Sequence, residues 1–470
     1  MKTIRLLTVI CSLAVSTTLS AEEPWKAGVA KAVITPAEPM WMSGYASRDK
    51  PADGTIHDLW AKAIVLEDPT RSRLLLVSLD LVGIDRKTSQ QICLRLMEAH
   101  GLQRSQIALS TSHTHSGPVV GLNLMSMYGL DEPNHKLVAE YTQFLSDAVV
   151  KVVADAMTSL IPAVLQTGEG QATFAVNRRN NREADVPMLR DNGQLVGPVD
   201  HAAPVLTVRD LSGNLKAVMF GYACHATVLS GMQWCGDWPG FAQLEVEKNH
   251  PGTIAVFWAG CGADQNPLPR RTVELATAYG QQLAASLDRT LQSPMPVVTG
   301  SFRSVYREIP LALDALPTKE QIESELQSEN VYLARRAAAL LETLSRDGKL
   351  SPTYDYPVQM WAIGDGVRMT FLGGEVVVDF SLRLKAELPG TANWIAGYSN
   401  DVMAYIPSKR VLDEGGYEGE SAMIYYGLPT KWSPNVEEHI VSTVKELDAE
   451  LTRGQPAPAG GGTNDAGVRN

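Results

Sequence analysis

Five short apolar runs, each ending in a cluster of polar residues, constrain the fold of this chain more than any other feature. They are residues 73–80 (RLLLVSLD), 106–112 leading into His113-Thr114-His115-Ser116-Gly117-Pro118, 215–223 leading into Cys224-His225, 253–259 leading into Gly260-Cys261-Gly262-Ala263-Asp264-Gln265-Asn266-Pro267, and 367–372 leading into Gly373-Gly374-Glu375. Apolar content this continuous over so few residues reads as strands buried on both faces. A sixth strand is expected at 393–398. Helical spacing fills the intervals at 87–100, 136–160, 271–287, after Glu375 to about 388, and 436–451, where Val436, Ile440, Val444, Leu447 and Leu451 form one stripe. Residues 318–346 read as one charged helix opened by a capping box of Thr318 and Gln321, placed at the periphery or as a lid. The alternation predicts an α/β fold, with mixed β-sheets flanked by helices.

The chemistry sits at the ends of these strands. Side chains two apart on an extended segment share a face, so His113 and His115 can point into one cavity. A histidine pair needs one or two further ligands to hold a metal. Asp80, His225, Asp264 with Asn266, and Glu375 all lie just past strand ends, the edge at which open α/β sheets bind ligands. Several such ends delivering His, Asp and Glu to one rim would suit a metal hydrolase.

Composition narrows the partners. The chain has 470 residues, 44% of them hydrophobic, enough for a large core, and a net charge of −11. With no basic cluster, nucleic acid is excluded as a partner and anionic headgroups are not attracted by net charge, which leaves a small-molecule or lipid substrate. Residues 1–20 read as a signal peptide. Lys2 and Arg5 precede an apolar run too short to span a bilayer, and Ser20 and Ala21 suit cleavage. The mature protein is therefore expected in the periplasm or outside the cell, with no transmembrane segment. Cys93, Cys224, Cys235 and Cys261 would survive cleavage, and at least one disulfide or buried thiol is expected near the site. The domain is expected over 21–452, followed by a disordered Gly/Pro/Ala-rich tail at 453–470. Oligomeric state is left open.

In order along the chain, Ser43-Gly44-Tyr45-Ala46, Ser78-Leu79-Asp80, HTHSGP at 113–118, Asn177-Arg178, CHAT at 224–227, Asp237-Trp238-Pro239-Gly240, Gly-Gly-Glu at 373–375, MAYIPS at 403–408 and GYEG at 416–419 resemble the catalytic domain of neutral ceramidases. The resemblance runs from about Gly28 to Leu451 and implies a zinc amidase that cleaves the linear amide between a fatty acid and a sphingoid base. It implies His113, His225, Glu375 and Tyr405 as ligands of one zinc ion per chain. It implies His115 beside the metal-bound water as proton carrier, and Arg178 and Tyr417 at the scissile carbonyl. It also implies Gly44 and Asp264 against the substrate. The chemistry is consistent on its own terms. Zinc lowers the pKa of water to near 7, hydroxide attacks the acyl carbon, and His115 protonates the leaving amine.

Three departures qualify the resemblance. Aligning Asp264 and Pro267 with the family's Gly-Asp-x-Ser-Pro-Asn segment places Asn266 where the functional serine stands. Asparagine can hydrogen-bond a substrate or an oxyanion but cannot be acylated. The run of short strands expected of the family's C-terminal β-sandwich domain is not read after 452. Arg270 and Arg271 put positive charge beside the altered loop, suiting a carboxylate or hydroxyls on the substrate unless nearby acids pair with them. Two other readings therefore stand beside ceramide hydrolysis. One keeps the fold and metal but takes another N-acyl, ester or glycan-derived substrate. The other is a non-catalytic periplasmic binding protein. An amidohydrolase barrel, which also uses H-x-H after a strand, would need more histidines than His201 and His225 and a more regular strand count.

Overall fold

In the computed structural model, residues 24–390 and 392–453 are described; the signal-peptide segment and nearly all of the expected tail lie outside them. Two sheets stack face to face. The larger holds β1 (Trp25–Val33), β2 (Trp60–Glu67), β3 (Arg73–Leu79), β4 (Ile107–Thr111), β5 (Ile161–Gln171), β6 (Ala202–Asp210), β7 (Leu215–Tyr222) and β8 (Ile254–Ala259), in the order β8-β7-β6-β5-β1-β2-β3-β4. The smaller holds β9 (Arg303–Ala312), β10 (Thr353–Ile363), β11 (Val367–Leu372) and β12 (Ala392–Ala396), in that order.

The period of two in each strand builds the layers. On β2 and β3, Ile64, Leu66, Leu74 and Leu76 face the small sheet and meet Trp361, Met369, Phe371 and Trp394. The alternate residues Ala63, Val65, Leu75 and Val77 face helices Arg86–His100 and Glu132–Thr158. Helices Asp237–Asn249 and Val273–Leu291 cover the β7–β8 end, while Val378–Glu387 and Val436–Thr452 cover the outer face of the small sheet. The result is a four-layer helix–sheet–sheet–helix sandwich. The double burial explains why the apolar runs are continuous rather than alternating.

Two features position the site. The pairs β3–β4 and β7–β8 are parallel, each joined by a helical crossover, and stand at opposite ends of the strand order; the segments that leave β4 and β7 nevertheless converge, bringing His113 and His225 to one point. Both terminal strands are stitched to the segment that follows the small sheet: Gly397 donates to the Ala259 carbonyl of β8 at 3.0 Å and Asn400 to the Leu109 carbonyl of β4 at 2.7 Å. The end of β11 therefore arrives at the same place.

Two expectations change. The helix expected over 318–346 is two, Lys319–Glu325 and Val331–Asp347. Ser328 and Asn330 break it by bonding locally, with the Asn330 side chain capping the Tyr332 amide at 3.0 Å. The two pack as a hairpin through Ile322, Ala337 and Leu340, and the second is anchored by the Tyr332 hydroxyl on the Ala46 carbonyl at 3.0 Å. Among the described residues Cys93, Cys224, Cys235 and Cys261 are free, buried thiols, so the disulfide-or-thiol expectation resolves to thiols. Among the described residues no helix is long and apolar enough to cross a membrane.

Candidate metal centre and active site

His113 leaves β4 in a left-handed conformation, φ +59°, which is uncommon for a residue with a Cβ and directs its ring inward. Its Nδ1–H donates to the Val82 carbonyl at 2.5 Å. His225 follows β7 and its Nδ1–H donates to the Gly262 carbonyl at 2.9 Å. Both rings are thus fixed as the tautomer whose Nε2 carries a lone pair, as expected of imidazoles that bind metal. The two Nε2 atoms lie 3.2 Å apart. Glu375 Oε2 lies 3.1 Å from the first and 3.2 Å from the second.

Glu375 reaches this point through a strained link. Gly374 has φ +74°, and a Cβ there would lie 2.7 Å from the Ala404 carbonyl, so only glycine carries the chain from β11 into the short strand Glu375–Val376. That strand pairs in parallel with Tyr405–Ile406, with Glu375 directly beside Tyr405. The Tyr405 hydroxyl stands 3.4 Å from His225 Nε2. One pairing therefore delivers a carboxylate and a phenol to the two imidazoles.

The donor set fits a cation. Lone pairs on two Nε2 atoms and a carboxylate oxygen converge at about 3 Å, and Glu375 Oε2 is buried with no hydrogen-bond donor. Burial alone would raise the Glu375 carboxyl, and only positive charge at the point shared with His113 and His225 holds it well below the usual carboxylate range. Burial and the Arg178 charge push His225 down to about 4, so its imidazole is neutral at pH 7. Nitrogen and oxygen ligands of this kind suit zinc.

His115 joins the cluster with Nε2 3.1 Å from His113 Nε2, and His113, His115 and His225 together could hold an ion. It differs from the other two in one respect. Its Nδ1 is buried without a partner, so neither ring nitrogen is committed. Burial and the neighbouring imidazoles lower its pKa well below the ordinary histidine value. The Tyr45 ring lies 4.8 Å away, and Gly44 explains the fit. At φ +96° a Cβ on Gly44 would stand 2.5 Å from His115 Nδ1. Gly44→Ala should displace this ring and strain the backbone, lowering kcat about tenfold or more while the metal content stays at the wild-type level; assay and metal analysis of the same preparation check both.

Arg178 stands on the opposite wall. It comes from the short strand pair Ala175–Asn177 and Gln265–Pro267, which also carries Asn266. Its Nε–H donates to Glu418 at 2.7 Å, Nη2 to the Tyr405 hydroxyl at 3.1 Å and Nη1 to Asn266 Oδ1 at 3.3 Å. Tyr417, 42% exposed, places its ring 5.3 Å from that of Tyr405. Asp264 is set differently from the others. It is 0% exposed, and its oxygens accept from the Val378 amide at 2.8 Å and the Asn177 side chain at 3.1 Å. Burial pushes its carboxyl up to about 6. It braces the Asn266 loop against the helix after Glu375 rather than meeting open space. Asp80 is likewise buried and accepts from the Trp60 amide at 3.0 Å, away from the imidazoles. Arg270 pairs with Glu183, with contacts of 3.1, 3.0 and 2.8 Å.

Sequence reasoning passed over three residues here. Tyr426 donates its hydroxyl to Glu375 Oε1, Glu418 holds Arg178, and Tyr128 receives the Gly44 amide at 2.9 Å. Neither Tyr426 nor Tyr128 lies in a recognisable motif; Glu418 lies in GYEG. Tyr426→Phe should free the Glu375 carboxylate to turn and weaken metal affinity about 10–100-fold with little change in fold, measurable by competition with a chromogenic chelator.

Comparison with known proteins places the fold and the family. The structure superposes on a structure titled ceramidase complexed with C2 with a TM-score of 0.71 at 21% identity, covering 93% of this chain and 76% of that one. It also superposes on the neutral ceramidase of Pseudomonas aeruginosa with a TM-score of 0.68 at 20% identity, covering 92% and 75%. These likenesses establish the fold. In sequence, neutral ceramidase A of Dictyostelium discoideum is 28% identical over 249 residues, 49% of this chain and 34% of that protein. The Pseudomonas aeruginosa neutral ceramidase is 28% identical over 258 residues, 52% and 37%. The matched segment thus spans about a third of the length of these relatives. Residues 25–262, just over half of the chain, match the N-terminal domain of the neutral/alkaline non-lysosomal ceramidases, and this chain belongs to that family.

Proposed function

We propose that the protein is an exported, zinc-dependent hydrolase of linear amides, with an N-acylsphingosine-like compound as the reference substrate. The convergence of His113, His225, Glu375 and Tyr405, with the Glu375 Oε2 atom left without a donor, carries this reading. A zinc ion held by these four side chains would supply Lewis acidity and a water ionised near neutral pH. The remaining steps belong to the protein. Arg178 and Tyr417 line the wall beside Tyr405 and donate to the acyl oxygen as negative charge builds on it. His115, with Nδ1 unpartnered, takes the proton of the attacking water and returns it to the leaving amine. Asn266 orients Arg178 and forms no acyl intermediate, so the reaction is a direct hydrolysis. Export rests on the charged and apolar pattern of residues 1–20.

Release of fatty acid from a short-chain fluorescent ceramide by the purified mature protein, with and without chelator, tests this. Turnover that chelator abolishes and zinc restores is the expected result. Turnover that survives complete metal removal would sink the metal mechanism.

A further inference from the structure

The wall formed by Arg178 opens into a cleft of about 520 Å³ whose chemistry does not suit an alkyl chain. Three arginines and two glutamates line it, and among the described lining residues Leu268 is the single aliphatic side chain. Burying a chain stabilises by about 0.8 kcal/mol per methylene only where apolar surface receives it, and here almost none does.

The cleft instead offers hydrogen-bond donors. Arg178 has five N–H groups and places three on Glu418, Asn266 and Tyr405, leaving one on each terminal nitrogen. An arginine can only donate, so Asn266 must present Oδ1 to it, which turns the two donors of its Nδ2 away from the guanidinium. The acceptors are engaged: Glu183 by Arg270, and Glu418 by Arg178 and Arg179. Arg178 also touches Tyr405, whose hydroxyl is 3.4 Å from His225 Nε2, so a group in the cleft lies within a few bonds of the reacting carbon.

We propose that this cleft selects substrates with a carboxylate beside the scissile amide, of the N-acyl amino acid class, with Asn266 and Arg270 as specificity-determining residues. The inference rests on the hydrolase reading above. Water adds its oxygen to the acyl carbon, the C–N bond breaks, and the amine nitrogen takes the proton, giving a fatty acid and an amino acid. A carboxylate accepts from Arg178 and Asn266 together, and charge-assisted bonds of this kind are about twice as strong as neutral ones.

The test compares N-octanoylglycine, N-octanoylethanolamine and N-octanoylsphingosine on the zinc-loaded protein. The glycine conjugate should show kcat/KM at least about tenfold above the ethanolamide, which matches it in length but carries no charge. Arg270→Gln should remove most of that ratio, because Glu183, left with only Arg271 at 4.0 Å, then repels the carboxylate. Equal turnover of the glycine and ethanolamine conjugates, or highest turnover of the sphingosine conjugate, would overturn the selectivity and leave the hydrolase reading intact. If no amide is cleaved, the hydrolase reading fails, and calorimetric titration of the same pair still decides: equal Kd values overturn the carboxylate site.

Discussion

His113→Ala should abolish both metal binding and turnover. The ring is 1% exposed, its Nδ1 is held by Val82, and its Nε2 is within 3.2 Å of His225, His115 and Glu375, at the centre of the converging donors. A bound metal contributes several kcal/mol of transition-state charge stabilisation, so turnover should fall by about a thousandfold or more. The apo protein should remain folded. Removing one of several converging lone pairs relieves repulsion that offsets part of the lost packing. The clean readout is zinc-induced stabilisation. At a hundredfold excess over Kd the wild type gains about 2.7 kcal/mol, seen as a rise in Tm, and the variant should gain almost nothing. A variant that keeps the zinc-induced rise would remove His113 from the ligand set.

The second large effect is expected at Arg178. Arg178→Ala removes a donor from the acyl oxygen and should lower kcat about 10²–10³-fold, the range measured when one oxyanion donor is deleted. It also leaves Glu418, 5% exposed at its side chain, with Arg179 as its remaining cation. Arg178→Lys should recover little. A single ammonium cannot reach Glu418, Asn266 and Tyr405 at once, whereas the planar guanidinium does so from three nitrogens. Metal content should stay at the wild-type level in both variants. A kcat within threefold of wild type in Arg178→Ala would remove this residue from the chemistry.

Asn266 bears on both results. Because its Oδ1 is held by Arg178, Asn266 acts through the arginine, and its own amide can only donate toward substrate. The loop that carries it is braced independently, by Asp264 on the Val378 amide.

Six of the twelve strands in the two sheets, β3, β4, β7, β8, β11 and β12, were legible in the sequence, with the polar residues that follow them; β1, β2, β5, β6, β9 and β10 were not. Buried strands need unbroken apolar runs, and the chemistry begins where those runs stop; His113, His225 and Glu375 are visible for that reason. The helix over 318–346 was misjudged because a local bond between Ser328 and Asn330 outweighs an otherwise helical pattern. That the polar ends meet at one point was beyond any local pattern. β4 and β7 belong to the large sheet and β11 to the small one, and only the stacking of the two sheets, joined through Gly397 and Asn400, brings their ends together. Tyr426 is invisible in the sequence because its role depends on a contact 51 residues away along the chain. The polarity of the Arg178 cleft is equally a product of packing: whether Glu183 and Glu418 leave donors free depends on which arginines they meet in space, and spacing along the chain carries no information about that.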